Sequence, residues 1–106
     1  MAKNKTQRAS GTNADAVVTF TNSSTSKLGY LGGRVIWSYS ADPTGGRLTV
    51  VAGATTLLDV DIPKGGPGFL DIDGFDPPAG STDNVVATLY AGGSGIVGKL
   101  NVAMKA

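Results

Sequence analysis

Four Gly-Gly pairs, beginning at positions 32, 45, 65 and 92, divide the chain into short runs in which apolar and polar residues alternate. A period of two places successive side chains on opposite faces of an extended strand, and Gly supplies the backbone freedom needed to reverse it. In VIWSYSADPTGGRLTVV, residues 35 to 51, Val35, Trp37 and Tyr39 share a face opposite Ile36 and Ser38. Leu48 and Val50 form a second such set beyond the break. Asp42-Pro43 favours a turn and Gly45-Gly46 reverses the chain, so PTGG is expected to be a hairpin connection. It lacks the G-x-x-x-x-G-K-[ST] spacing of a phosphate loop, and a strand follows where that loop needs a helix N-terminus.

The same pattern recurs in AVVTFTN (16 to 22), TTLLDVDI (55 to 62), FLDID from Phe69, VVATLYA (85 to 91) and VGKLNVAM (97 to 104). Ala52-Gly53-Ala54 reads as a short hairpin turn, PKGGPG as a loop, and GFDPPAGSTDN (74 to 84) as the longest irregular stretch. There is no Glu and only one Gln, so straight-chain helix formers are scarce among 16 Gly and 5 Pro. The fold expected is all-β, an antiparallel, jelly-roll-like β-sandwich of about seven or eight strands spanning residues 16 to 106 as one domain. Residues 1 to 15 are polar, carry Lys3, Lys5 and Arg8, and read as a flexible arm. That arm is either a frayed terminus or a segment that lies on a neighbouring subunit or an acidic surface.

Composition removes several function classes. With no Cys and no His, the chain has no disulfide, no thiolate metal site and no Ser-His-Asp triad. A net charge of +1 gives no broad positive field, and the basic residues near the start are not interleaved with aromatics, so no specific nucleic-acid partner is expected. Neither a secretory signal nor a long apolar run is visible, so no membrane partner is expected either. Asp59 with Asp61, and Asp71, Asp73 and Asp76, bring hard oxygen ligands together as Ca²⁺ requires, but without the EF-hand spacing or its closing Glu. Alternate residues of a strand face one side, so these carboxylates are equally explained as solvated outer positions. No deep cleft is suggested around any pair of them, and the chain is expected to be neither an enzyme nor a cofactor binder.

What remains points to contact with other molecules. RVI, TVV, TLL and VVA are apolar on both strand faces, as when a neighbouring subunit covers the outer one. The interface candidates are Lys3, Lys5 and Arg8 of the arm, the outward-facing Ile36 and Val51, and Phe75, Pro77 and Pro78 of the long loop. Trp37 and Tyr39 alternate within the most apolar strand and read as core rather than as a sugar-stacking platform. Tyr30, Phe75 and Tyr90 are better placed for exposure.

WSYSADPTGGRLTVV, LLDVDIPKGGPGF, VVATLYAGG and GKLNV together resemble small virion-associated proteins encoded by tailed bacteriophages. The resemblance runs from Gly33 to Val102, about two-thirds of the chain, in turn and strand vocabulary and with no catalytic motif. It implies a β-sandwich that decorates a capsid or joins a fibre or tail. Its partners would be the major capsid protein or other virion proteins, its state a homo-oligomer, by analogy a trimer, and its location the virion. The alternative is a carbohydrate-binding or adhesin-type β module using the loop at 74 to 84 with Phe75 and Tyr90.

Overall fold

The computed structural model describes residues 5–20, 30–75 and 84–105. The chain forms strands β1 (Lys5–Thr12), β2 (Ala16–Phe20), β3 (Tyr30–Tyr39), β4 (Arg47–Ala52), β5 (Thr55–Asp61), β6 (Gly68–Phe75), β7 (Val85–Leu89) and β8 (Val97–Lys105), the last seven from the alternating runs. They form two four-stranded sheets, sheet I in the order β1-β8-β3-β6 and sheet II in the order β2-β7-β4-β5. The antiparallel pairs β1–β8, β2–β7, β3–β6 and β4–β5 nest inside one another along the chain. That nesting is the wrapped connectivity of a jelly roll, in keeping with the alternation of the sequence.

The core lies between the sheets. Val35, Tyr39, Ile72, Leu100, Val102 and Met104 enter it from sheet I, and Val18, Phe20, Leu48, Val50, Ala87 and Leu89 from sheet II, all buried. Each fully buried aliphatic side chain contributes roughly 1.5–3 kcal/mol of transfer free energy. Trp37 packs half-buried against this cluster, so Trp37 and Tyr39 both serve the core.

PTGG is not a hairpin. β3 belongs to sheet I and β4 to sheet II, so residues 40–46 form an arch that carries the chain across the sandwich. Val35 and Tyr39 on one side of the arch, and Leu48 and Val50 on the other, then bury their side chains toward the same interior. Gly45 adopts φ 74°. Gly46 is needed for space, because a Cβ there would stand 2.5 Å from the Ile62 carbonyl oxygen and 2.6 Å from Pro43 Cγ. The arch is tied to its neighbours: Thr44 N donates to Gly92 O at 2.8 Å, and Gly65 N donates to Asp42 Oδ1 at 2.8 Å. The expected turn at Ala52-Gly53-Ala54 does form a hairpin, joining β4 to β5 with Gly53 at φ 58°.

The flexible arm also needs correction, because residues 5–12 form an edge strand of the sandwich. β1 pairs with β8 along its whole length, from Lys5 opposite Met104 to Thr12 opposite Val97. Its side chains contribute little burial, and Ala9 is its one described residue packed against the core. Backbone pairing is what recruits it. The Gln7 side-chain amide donates to Thr19 O at 2.9 Å, linking the edges of the two sheets, and Ala91 N donates to Asp15 Oδ1 at 2.8 Å just beyond the strand.

Candidate binding face

With Val35 and Tyr39 turned inward, β3 presents Arg34, Ile36 and Ser38 on the outside of sheet I. Burial of Leu100 and Val102 likewise leaves Lys99, Asn101 and Ala103 outward on β8, and burial of Ile72 leaves Phe69 and Asp71 outward on β6. The register then aligns Arg8, Asn101, Ile36 and Phe69 in one row across all four strands. At the spacing of paired strands this row spans roughly 14 Å. Phe69 is 58% exposed and Ile36 45%, which makes them two of the most exposed large apolar residues described.

Phe69 is held in place by its neighbours. The guanidinium of Arg34 lies over the ring, 4.3 Å from its centroid, and donates through Nε to Asp71 Oδ1 at 2.8 Å. Asp71 is the direct cross-strand partner of Arg34, so the sheet register itself sets this contact. The hydrogen bond from Arg34 holds the Asp71 carboxyl below the ordinary Asp range and raises the guanidinium in turn. Both groups stay charged at neutral pH. Being exposed, the pair adds little to stability, and what it supplies is orientation.

Beside this platform lies a shallow depression of about 480 Å³, lined by Arg8, Ser10, Ile36, Ser38, Lys99 and Asn101, among others. No carboxylate lines it among the described residues. Trp37 reaches it from the core side, with its ring packed over Gly66 and Gly68, where a Cβ would approach the ring to 2.6 and 2.5 Å. The Trp37 Nε1 is buried and has no hydrogen-bond partner among the described residues.

The outer face of sheet II is different in character. Arg47 forms a two-pronged pair with Asp59, at 2.9 and 2.7 Å, and lies 5.3 Å from the Tyr90 ring centroid. That hydrogen bonding depresses the Asp59 carboxyl. Around the pair, Val17, Thr88 and Thr49 continue one row and Thr19, Val86, Val51 and Thr56 the next.

The interface residues expected from the sequence therefore separate. Arg8 and Ile36 share the outer face of sheet I, each directly opposite Asn101, whereas Val51 is half-buried on the far side of the sandwich. One flat partner cannot cover both Ile36 and Val51. Lys5 opens β1 and Phe75 closes β6 opposite Tyr30. Lys3, Asp76, Pro77 and Pro78 lie outside the described residues. Of the candidate cation ligands, Asp59 and Asp71 are each committed to an arginine, and no group of three acidic side chains is placed to hold a metal among the described residues.

The residue that sequence reasoning missed is Phe69. The signal was present: in FLDID, Phe69 shares its parity with Asp71 and Asp73, opposite Leu70 and Ile72, which marks it as outward.

No protein-family model and no curated relative matches the sequence. The fold does match solved structures. A family 36 carbohydrate-binding module in complex with calcium and xylotriose aligns with TM-score 0.51 at 9% identity, over 93% of this chain and 78% of that one. Dimeric latent PorU from Porphyromonas gingivalis aligns with TM-score 0.50 at 11% identity, over 98% of this chain but only 13% of its own length. A family 36 module of a xylanase from the hindgut metagenome of Trinervitermes trinervoides aligns with TM-score 0.48 at 13% identity, over 93% and 75% of the two chains. At these identities the likeness defines a β-sandwich domain and leaves the site to be argued from this chain's own residues.

Proposed function

We propose that this domain is a non-catalytic, carbohydrate-binding or adhesin-type module that takes a glycan on the outer face of sheet I. Jelly rolls serve both lectins and capsids, so the fold alone does not choose between the two readings. The observation that carries the choice is Phe69, an aromatic ring 58% exposed yet fixed by Arg34. A ring held in this way offers an apolar surface to the C–H face of a sugar at small cost in side-chain freedom. The Arg34–Asp71 pair beside it, and Ser38 and Asn101 further across the same face, are donors and acceptors for hydroxyl groups. A shallow open face of this kind suits reversible binding of a polymer and not enclosure of a reacting bond. The structural likeness to a module solved with xylotriose supports the reading.

A glycan array followed by calorimetric titration of any hits tests it. The protein is expected to bind at least one class of polysaccharide, and Phe69→Ala is expected to abolish that binding while the protein stays folded. An array without hits, together with attachment of the protein to phage capsids, would reinstate the virion-decoration reading and its oligomer.

A further inference from the structure

The cations of this domain are not treated alike. Of the Lys and Arg residues whose side chains are described, Arg34, Arg47 and Lys64 each have a carboxylate partner, at 2.8, 2.7 and 3.7 Å. Arg8 and Lys99 have none among the described residues, and both are exposed. They are also adjacent. Arg8 pairs with Asn101 and Ser10 with Lys99, so Arg8 and Lys99 are diagonal neighbours on one outer face, about 7–8 Å apart at the backbone. Two like charges at that separation repel mildly, and one anionic group seated between two long, flexible side chains relieves both. The same two residues line the depression beside Phe69, which holds no carboxylate among the described residues and has Ser10, Ser38 and Asn101 in its lining.

We infer that the glycan recognised here is acidic, a uronate- or sulfate-bearing polysaccharide whose anionic group sits between Arg8 and Lys99 while a sugar ring further along the same glycan stacks on Phe69. This inference rests on the reading of sheet I as a glycan-binding face. Arg8 supplies a planar fork matched to a carboxylate or sulfate, Lys99 a point charge, and Asn101 between them a side-chain amide for an adjacent hydroxyl. Because the contacts are exposed, salt at physiological strength, with a screening length of about 8 Å, weakens them appreciably.

The test titrates the full chain with polygalacturonate, chondroitin sulfate, and the neutral xylohexaose and laminarihexaose at low and physiological salt. Acidic polymers are expected to bind more tightly than neutral ones by about ten-fold or more, with affinity falling as salt rises. The double variant Arg8→Gln/Lys99→Gln should erase that preference, and the charge-retaining Arg8→Lys/Lys99→Arg should keep most of it. Both positions are exposed, and a thermal melt confirms that each variant is folded. If neutral glycans bind as tightly as acidic ones, or the Gln variant retains the preference, the acidic assignment is overturned while the glycan-binding face stands. If single-stranded DNA of equal charge competes as well as polygalacturonate and Phe69→Ala changes nothing, the site reads charge alone and the assignment is likewise overturned. If no glycan of either kind binds, both readings fall together.

Discussion

The Arg34 guanidinium lies 4.3 Å from the centroid of the Phe69 ring while its Nε donates to Asp71 at 2.8 Å, so one side chain fixes an exposed aromatic and a carboxylate at once. Three residues on two paired strands thus form a unit. The ring keeps its place on an open sheet surface because Arg34 is anchored by Asp71 and not because the ring is buried.

That arrangement predicts a measurable coupling. In a double-mutant cycle on Arg34→Ala and Phe69→Ala, the interaction energy should be about 0.5–1 kcal/mol in favour of the pair, as for exposed cation–π contacts. Each single variant should remain folded, with glycan affinity falling further for Phe69→Ala than for Arg34→Ala. A coupling indistinguishable from zero in urea denaturation would show that the stacked geometry does not persist in solution.

β1 belongs to the sandwich, so truncation should unsettle the fold. Deleting residues 1 to 12 strips the outer edge of β8, removing a ladder that runs from Lys5 to Thr12 and the Gln7 bridge to Thr19. The loss should be about 3 kcal/mol or more, since several net hydrogen-bond contributions of about 1 kcal/mol disappear together. A fall in Tm of roughly 15 °C or more, or aggregation through the bare edge, is the expected result. A truncated protein melting at the wild-type temperature would restore the flexible arm.

The two glycines of PTGG should respond differently to substitution. Gly46→Ala drives a Cβ into Pro43 of the arch and into the carbonyl oxygen of Ile62, whose N–H pairs with Gly46 O, and should destabilise by about 1–3 kcal/mol. Gly45 has φ 74° but open space around it, so Gly45→Asn, which tolerates that conformation, should cost about 1 kcal/mol or less. Denaturant midpoints rank the two, and equal losses would mean that the crossing is packed less tightly than the Gly46 contacts require.

Acid should weaken the fold in a narrow window. Hydrogen bonds from Arg34 and Arg47 hold Asp71 and Asp59 below their ordinary values, so on acidification the unfolded chain takes up protons before the folded one does. Their contribution is therefore complete above about pH 4, the usual Asp range, and is lost as pH falls through the depressed values. Tm should be flat toward neutrality and decline below that point, modestly and less steeply at high salt, because both pairs are exposed. Asp59→Asn/Asp71→Asn should flatten the acid limb, and an unchanged acid limb in that variant would assign it to other carboxylates.

Much of this molecule is legible in its residues. Period-two alternation places Val35, Leu48, Val50, Leu100 and Val102 inside, and the shared parity of Phe69 and Asp71 is enough to put that ring outside. β1 is illegible for a physical reason: KTQRASGT has almost no apolar face, and its place in the sheet comes from the free backbone edge of β8. The arch is illegible for another. A hairpin and a crossing use the same turn residues, and the inward set of each flanking strand is the same in both.

The sequence by itself determined the strands after β1, their inward faces, the positions of the glycine-dependent turns and the absence of thiol and imidazole chemistry, because these depend on local sterics, on a two-residue period and on which side chains exist. Only the tertiary structure decided which strand pairs with which. Register across four strands set Arg34 against Asp71 and over Phe69, left Arg8 beside Lys99 with no carboxylate among the described residues, and sent Val51 to the opposite side from Ile36. Pairing is a long-range choice made by the shared core and by backbone edges far apart in the chain, and the binding face exists only once that choice has been made.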